Sequence, residues 1–247
     1  MEYELLSSFY DEFVNADYAA MARLYEQLWA RFRFAPELVL DLGCGTGNLL
    51  PYLEKGRQVI GVDVSPEMLA IAREKASPQT LLLCQDMTQL DLYGTIDAVV
   101  CALDCINALP DEDAVRQTFE RVNLFLSRGG LFIFDVNAPK KFETVLDGRA
   151  FVYESEDVFL VWESEYDKEK AACDFLLTFF LRREDGSYAR EEERMTQRVY
   201  SKERLLQLME ESGLEPLTVC NGAGEEPEEE ELRLFFVARK GKDAPNQ

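Results

Sequence analysis

The stretch DLGCGTG at residues 41–47 decides the fold of this chain. It closes a short apolar run that begins at Val39, and a helical stretch follows it to about Lys55. The order strand, glycine-rich loop, helix is typical of α/β proteins in which the glycines allow positive φ angles and let a ligand approach the backbone closely. We therefore predict a ligand site at the carboxyl end of the first strand.

Strands and helices alternate on both sides of a change in pattern near residue 148. The strands and helices predicted before that point lie at residues 58–62, 66–76, 81–84, 98–102, 112–126 and 131–136. The elements predicted after residue 200 are a helix that Ser201 caps and strands at residues 214–220 and 232–239. Strand, helix, strand in this order predicts a mostly parallel sheet with helices on both faces.

Two segments do not fit this alternation. Residues 1–34 carry aromatic and aliphatic side chains at helical spacing, which predicts one or two helices. Residues 148–199 form four extended segments separated by charged turns, and in the third segment Phe175 and Phe179 lie on one face and Asp174 on the other. We predict an antiparallel β-meander inserted after the fifth strand.

The composition excludes several classes of function. The chain has 247 residues, a formal net charge of -21 and no histidine. A charge of that sign repels a polyanion, so we expect no binding of naked nucleic acid. Without histidine there is no Ser-His-Asp triad and no His-ligated metal, and the cysteines form no Cys-x-x-Cys pair, so we expect no metal site. No apolar run approaches about 18 residues and the N-terminus is acidic, which predicts a cytoplasmic protein without membrane contact.

Acidic residues follow two of the predicted strands. Asp63 ends the second strand, about 20 residues beyond the glycine loop, which is the position from which a carboxylate binds two ribose hydroxyls. Asp86 follows the third strand and should face the same crevice. A nucleoside-containing cofactor fits both positions. A dinucleotide loop would read G-x-G-x-x-G, but the third position here is Asn48.

The loop resembles motif I of class I S-adenosylmethionine-dependent methyltransferases, an acidic residue followed by G-C-G-T-G. Further along the chain, GVDVSPEML at residues 61–69 is similar to the ribose motif of this family, QDM at residues 85–87 to its adenine motif, and DAVVC at residues 97–101 to its strand-four motif. The resemblance covers roughly residues 37–136 and 201–239. It implies an α/β fold with a Rossmann-like, seven-stranded, mostly parallel sheet flanked by helices in a three-layer sandwich, with an N-terminal helical cap and an antiparallel β insertion after strand 5.

The resemblance also implies S-adenosylmethionine as the cofactor and gives its contacts. Gly43 and Gly45 would line the methionine part, Asp63 would bind the ribose, Val64 and Met68 would flank the adenine, and Asp86 would accept from its amine. The full set of expected cofactor residues is Tyr10, Asp41, Gly43, Cys44, Gly45, Asp63, Val64, Met68, Asp86, Met87 and Leu103. Tyr10 either borders the cofactor, as N-terminal helices do in related methyltransferases, or is a core aromatic residue. Cys44 is expected to be a small loop residue rather than a catalytic thiol.

The stretch LDCIN at residues 103–107 follows the fourth strand, where members of the family usually meet their substrate. It lacks the N-P-P-Y or D-P-P-Y signature of enzymes that methylate nucleic acid amines. Asp104 and Asn107 are the candidate catalytic residues, which would hold an amine or hydroxyl nucleophile, with Asp104 as a possible base. Capping of the following turn is an equal alternative for both.

These expectations define domains and competing functions. We expect a methyltransferase core at residues 1–147 and 200–240, with its helical cap at residues 1–34, and an inserted lid at residues 148–199 above the acceptor. The acceptor is expected to be a small molecule, with a basic protein as the alternative, and the enzyme a monomer or a homodimer. A non-catalytic protein that binds S-adenosylmethionine and a NAD-dependent oxidoreductase are the competing hypotheses.

Overall fold

The computed structural model describes residues 4–14 and 16–241 of the chain. The helices are α1 (Glu4–Phe13), α2 (Tyr18–Arg31), α3 (Leu50–Leu53), α4 (Pro66–Lys75), α5 (Glu112–Phe125), α6 (Pro139–Lys141) and α7 (Lys202–Glu211). The strands are β1 (Leu38–Leu42), β2 (Gln58–Asp63), β3 (Leu81–Cys84), β4 (Ile96–Cys101), β5 (Leu126–Asn137), β6 (Arg149–Glu154), β7 (Val158–Asp167), β8 (Ala172–Arg182), β9 (Tyr188–Arg198), β10 (Leu214–Cys220) and β11 (Arg233–Lys240).

Seven strands form one sheet in the order β10-β11-β5-β4-β1-β2-β3. The five strands from β1 to β5 run parallel, and β11 is antiparallel to both of its neighbours, β5 and β10. The strand residues of β1 and β4 are almost entirely buried, as expected for parallel strands that helices cover on both faces. The predicted fold class is confirmed.

Helices cover both faces of this sheet. On one face the apolar sides of α5 and α7 pack through residues such as Phe119 and Leu208. On the other face α2, α3 and α4 pack through residues such as Trp29, Leu50 and Ala72. The helices α2, α4, α5 and α7 each bury apolar residues at three- and four-residue spacing, which is the main source of helix stability in a layered fold.

The second sheet is antiparallel, with strand order β6-β7-β8-β9. As predicted, alternate residues of β8 share one face, and Phe175, Leu177 and Phe179 on that face are buried. They pack in one cluster with Leu6 and Phe13, so α1 lies on this sheet rather than on the parallel one. The N-terminal cap therefore connects the two sheets.

Among the described residues, no helix combines the length and the apolar character that crossing a membrane requires.

Candidate active site

The glycine loop after β1 turns sharply back toward β2. The N–H groups of Gly43 and Cys44 both donate to the carbonyl oxygen of Val62, at 2.7 and 2.9 Å. Gly43 has a φ of 78°, and a Cβ on it would lie 2.6 Å from Sγ of Cys105, so only glycine fits. Gly45 also has a positive φ of 52°, but nothing lies within 4 Å of the position of its Cβ. The backbone at Gly45 is therefore open to a ligand.

Asp63, the last residue of β2, is held against this loop. One carboxylate oxygen accepts from the N–H of Gly45 at 2.8 Å, and the other accepts from the N–H of Ser65 at 2.9 Å. Burial raises the pKa of Asp63, and the backbone hydrogen bonds act in the opposite direction by stabilising the ionised form. The carboxylate is thus fixed beside the open backbone of Gly45, with lone pairs remaining for further donors.

Asp41, near the end of β1, has an unusual environment. Its side chain is buried, and neither carboxylate oxygen has a hydrogen-bond partner among the described residues. Burial, together with the charge of Asp63, raises the pKa of Asp41 to about 7. Buried polar groups are normally paired, so within the described part of the chain Asp41 presents an unused acceptor.

Asp41 and the glycine loop line one cleft, and Asp63 is hydrogen-bonded to Gly45 in the wall of that cleft. Tyr10 of α1 and Tyr18 of α2 form part of its wall. The other lining residues are Asp41, Gly43, Cys44, Gly45, Thr46, Asn48, Leu49, Ala102, Leu103 and Cys105. The structure thus brings together six of the expected cofactor residues: Tyr10, Asp41, Gly43, Cys44, Gly45 and Leu103.

The residues expected at the adenine lie further along the same edge of the sheet. Val64 is exposed, with 63% of its surface accessible, whereas Met68 is buried in α4. The exposed Asp86 accepts from the backbone N–H and the hydroxyl of Thr88, both at 2.8 Å. Met87 reaches back toward the glycine loop, where its Cε would lie 3.4 Å from a Cβ on Gly43.

The turn after β4 is strained and held by a neighbouring strand. Leu103 and Asp104 have φ angles of 58° and 57°, which are unfavourable for residues other than glycine. The buried carboxylate of Asp135, on β5, accepts from both of their N–H groups, at 2.9 and 3.2 Å. This geometry places Leu103 at the cleft.

The carboxylate of Asp104 is engaged in an ion-pair network with residues of other strands. Its oxygens accept from the guanidinium of Arg233 at 2.6 Å and from the side-chain amide of Gln197 at 2.5 Å. Burial acts to raise its pKa, but the charges of Arg233 and Lys141 and the hydrogen bonds from Arg233 and Gln197 together outweigh burial, so the pKa lies below the usual value. Because an ionised carboxylate with a lowered pKa is a weak proton acceptor, this environment argues against Asp104 as a general base.

Asn107 is fully buried and connects three elements. Its side-chain oxygen accepts from the N–H of Asn137 at 2.9 Å, and its amide donates to the carbonyl of Arg198 at 2.8 Å. The N–H of Arg198 donates to the carbonyl of Asn107 at 2.6 Å. Asn107 therefore fastens the turn after β4 to β5 and β9, and its amide does not face the cleft.

Two residues of this site, Arg233 and Tyr18, were not predicted from the sequence. Arg233 pairs with Asp104 and Asp135 across about 100 residues of sequence or more, because β11 lies antiparallel beside β5, with Arg233 opposite Asn137. Tyr18 carries no motif, and only its position on the first helical segment could have indicated it. Within the described ranges, no group of three or more histidine, cysteine, aspartate and glutamate side chains is arranged to hold a metal ion.

Comparisons with known proteins agree on one family. A family model described as a methyltransferase domain matches residues 39–130. The chain is 34% identical to a putative methyltransferase of Geobacillus sp. (strain WCH70), over 97% of this chain and 100% of that protein. A solved S-adenosylmethionine-dependent methyltransferase from Clostridium acetobutylicum ATCC 824 is 28% identical, with a TM-score of 0.85 over 97% of this chain and 99% of that chain. CalS10 from Micromonospora echinaspora, solved with S-adenosylmethionine bound, is 22% identical and has the same fold, with a TM-score of 0.75 over 97% and 98% of the two chains.

Proposed function

Because this chain belongs to the class I S-adenosylmethionine-dependent methyltransferases, we propose that its cleft holds S-adenosylmethionine between Asp41 and Asp63 and transfers the methyl group to a small molecule. The cofactor and the reaction class follow from the family. The roles of individual residues and the nature of the acceptor are our proposal.

The residues present fit the cofactor. The observation that carries the assignment is the buried carboxylate of Asp41 in the cleft wall, which has no hydrogen-bond partner in the described ranges. The α-ammonium group of the cofactor is a cationic donor that would satisfy it. Asp63 stands next to the open backbone of Gly45 with lone pairs for the ribose hydroxyls. A side chain at Gly45 would occupy space that the methionine part of the cofactor needs.

We assign the adenine to the edge formed by the ends of β2 and β3. The exposed side chain of Val64 and the thioether of Met68 would flank the ring, and Asp86 would accept from the exocyclic amine while its hydrogen bonds to Thr88 hold its orientation. Met87 would contact the adenine ring on the side nearest the glycine loop. Cys44 serves as a small buried residue in the loop, where burial raises its pKa and keeps it a thiol.

Methyl transfer from the cofactor depends more on how the protein aligns the nucleophile than on proton transfer by a side chain. The sulfonium of the cofactor carries an activated methyl group, so holding a nucleophile in line with it supplies much of the rate enhancement. Leu103 and Tyr10 border the cleft and would exclude water from this position. Asp104 acts as a positioning residue, because with Arg233 and Gln197 it fixes the strained turn that presents Leu103.

The acceptor proposal rests on the shape of the site and on relatives. Tyr10 of α1 and Tyr18 of α2 line the cleft, and the four-stranded sheet packs against α1, so we infer that an acceptor reaching the cleft past these elements is a small molecule. CalS10 is described as an amino pentose methyltransferase, and the similarly folded KedS8 as a sugar N-methyltransferase. We infer a small acceptor with an amine or hydroxyl nucleophile, in an enzyme that acts in the cytoplasm as a monomer or homodimer. A basic protein remains the alternative acceptor.

A labelled-methyl assay tests this proposal. Protein is incubated with methyl-labelled S-adenosylmethionine and fractions of small metabolites or basic proteins, with Asp63→Ala as the comparison. We expect label in a small-molecule fraction with wild-type protein and much less with the variant. Transfer to protein fractions alone would refute the acceptor class, and cofactor binding without transfer to any fraction would favour a non-catalytic binding protein.

A further inference from the structure

Four polar side chains fasten the first helix to the glycine loop and to α4. We call Asp11, Thr46, Asn48 and Lys75 the Asp11 cluster. The Thr46 hydroxyl and the Asn48 amide donate to one oxygen of Asp11, at 2.6 and 2.7 Å. The ammonium of Lys75 is ion-paired with the other oxygen of Asp11 and donates to the Asn48 side-chain oxygen at 2.7 Å. Each member therefore contacts at least one other member across different elements of the fold.

Asn48 is central to this cluster. It occupies the position at which dinucleotide-binding loops carry their third glycine, and its amide makes contacts that glycine cannot. Besides Asp11, the amide donates to the hydroxyl of Tyr18 at 3.3 Å. Asn48 thus connects the glycine loop to α1 through Asp11 and to α2 through Tyr18, both next to the cofactor cleft.

The other side of α1 is attached to the four-stranded sheet. The backbone N–H of Leu6 donates to the carboxylate of Glu193 on β9, at 3.1 Å. The ring of Phe9 lies 6.1 Å from that of Phe179, measured between centroids. The apolar contacts of α1 face this sheet, and the Asp11 cluster attaches α1 to the glycine loop through polar side chains.

We propose that Asp11 and Asn48 are positioning residues that hold Tyr10 and Tyr18 over the cofactor, so that cofactor exchange requires the Asp11 cluster to open. This inference rests on the proposed function of the cleft. Tyr10 is the neighbour of Asp11 in sequence, and Tyr18 is a direct partner of Asn48. Both tyrosines line the cleft, so loosening the cluster moves part of its wall away from the ligand.

The charge of Asp11 does not change with pH near neutrality. Burial acts to raise the pKa of Asp11, but hydrogen bonds from Lys75, Thr46 and Asn48 lower it below its usual value. Asp11 therefore stays ionised throughout the neutral range. Opening should become easier at higher salt concentration, because salt weakens the partly exposed ion pair between Asp11 and Lys75.

The test measures the release of S-adenosylhomocysteine, the product of the reaction, by stopped-flow displacement. Asp11→Ala and Asn48→Ala should release it about three- to tenfold faster than wild type, as expected for losing partly exposed, charge-assisted hydrogen bonds. The double variant should release it no faster than the quicker single variant, since both changes open the same cluster. Asp113→Ala, which removes an exposed partner of Arg116 outside the cleft, should leave the rate unchanged.

Hydrogen exchange gives a second measurement that needs no variant. In wild-type protein, bound S-adenosylhomocysteine should slow exchange in α1 more than in β10, which lies at the far edge of the sheet. Release rates equal to wild type in both variants, or equal protection of α1 and β10, would overturn the inference. If wild-type protein binds neither S-adenosylmethionine nor S-adenosylhomocysteine, the proposed function itself fails.

Discussion

The substitution Asp41→Asn tests two properties of this carboxylate: its effect on the free energy of unfolding and its role in cofactor binding. Asparagine has nearly the same shape but carries no charge. In the cofactor-free protein, the raised pKa means that folding disfavours the ionised form of Asp41. The unfolded chain loses the proton near pH 3.8, whereas the folded chain keeps it up to about pH 7. The stabilising contribution of Asp41 is therefore complete below pH 3.8 and is lost as the pH rises through about 7.

The size of this effect follows from the pKa difference. Between the two pKa values the unfolding free energy falls by about 1.4 kcal/mol per pH unit, so the two pH units from pH 5 to pH 7 correspond to about 3 kcal/mol. We expect wild-type protein to lose about this much stability between pH 5 and pH 8 relative to Asp41→Asn. Any constant cost of the buried amide cancels, because only the change with pH is compared. Lower pH is avoided because the isoelectric point is near 4.4.

Urea unfolding of both cofactor-free proteins at pH 5, 6, 7 and 8 measures this difference. Calorimetry with S-adenosylmethionine measures the role of Asp41 in binding. The affinity of the wild-type protein for the cofactor should rise toward pH 8 as Asp41 ionises. The Asp41→Asn variant should bind the cofactor at least about tenfold more weakly at pH 8. If the stability difference between the two proteins does not change with pH, the buried, unpaired state of Asp41 is refuted. Equal cofactor affinity at pH 8 would refute its role in binding.

Three further substitutions test other parts of the site. Asp63→Ala should weaken S-adenosylmethionine binding at least about tenfold in calorimetry, because buried ribose hydroxyls lose their acceptor; wild-type affinity would exclude that role. Gly45→Ala places a Cβ in the open cleft and should weaken binding by a similar factor, whereas Gly56→Ala, with a comparable positive φ and equally open surroundings, should cost similar stability and leave affinity intact. Asp104→Asn should lower the free energy of unfolding by about 2 kcal/mol, since Arg233 and Gln197 lose a charged acceptor although Asp135 still pairs with Arg233. It should also slow methyl transfer while cofactor affinity is retained; stability and turnover equal to wild type would contradict the positioning role.

The strands were predictable because local sequence determines them. The predicted bounds of β3 and β10 agree with the structure to the residue, since each is a short run with clear breaks at both ends. The helix after the glycine loop is shorter than predicted and covers only Leu50–Leu53. Pro51 fixes its beginning, because proline cannot be preceded by a helical turn, and Gly56, with a φ of 78°, follows its end.

The candidate site was predictable where it depends on neighbouring strand ends. Asp41, Gly45 and Asp63 meet because β1 and β2 are adjacent and parallel, which the motif spacing indicates. The environment of Asp104 depends instead on Arg233. The pairing of β11 with β5 brings these residues together, and neither hydrophobic periodicity nor motif spacing carries that information.

The most direct test is a crystal structure of the protein with S-adenosylmethionine or S-adenosylhomocysteine bound. We expect the ribose hydroxyls on Asp63 and the α-ammonium on Asp41, with Tyr10 and Tyr18 against the ligand. A ligand bound elsewhere, or one bound in this cleft with the Asp41 carboxylate still unpaired, would contradict the account.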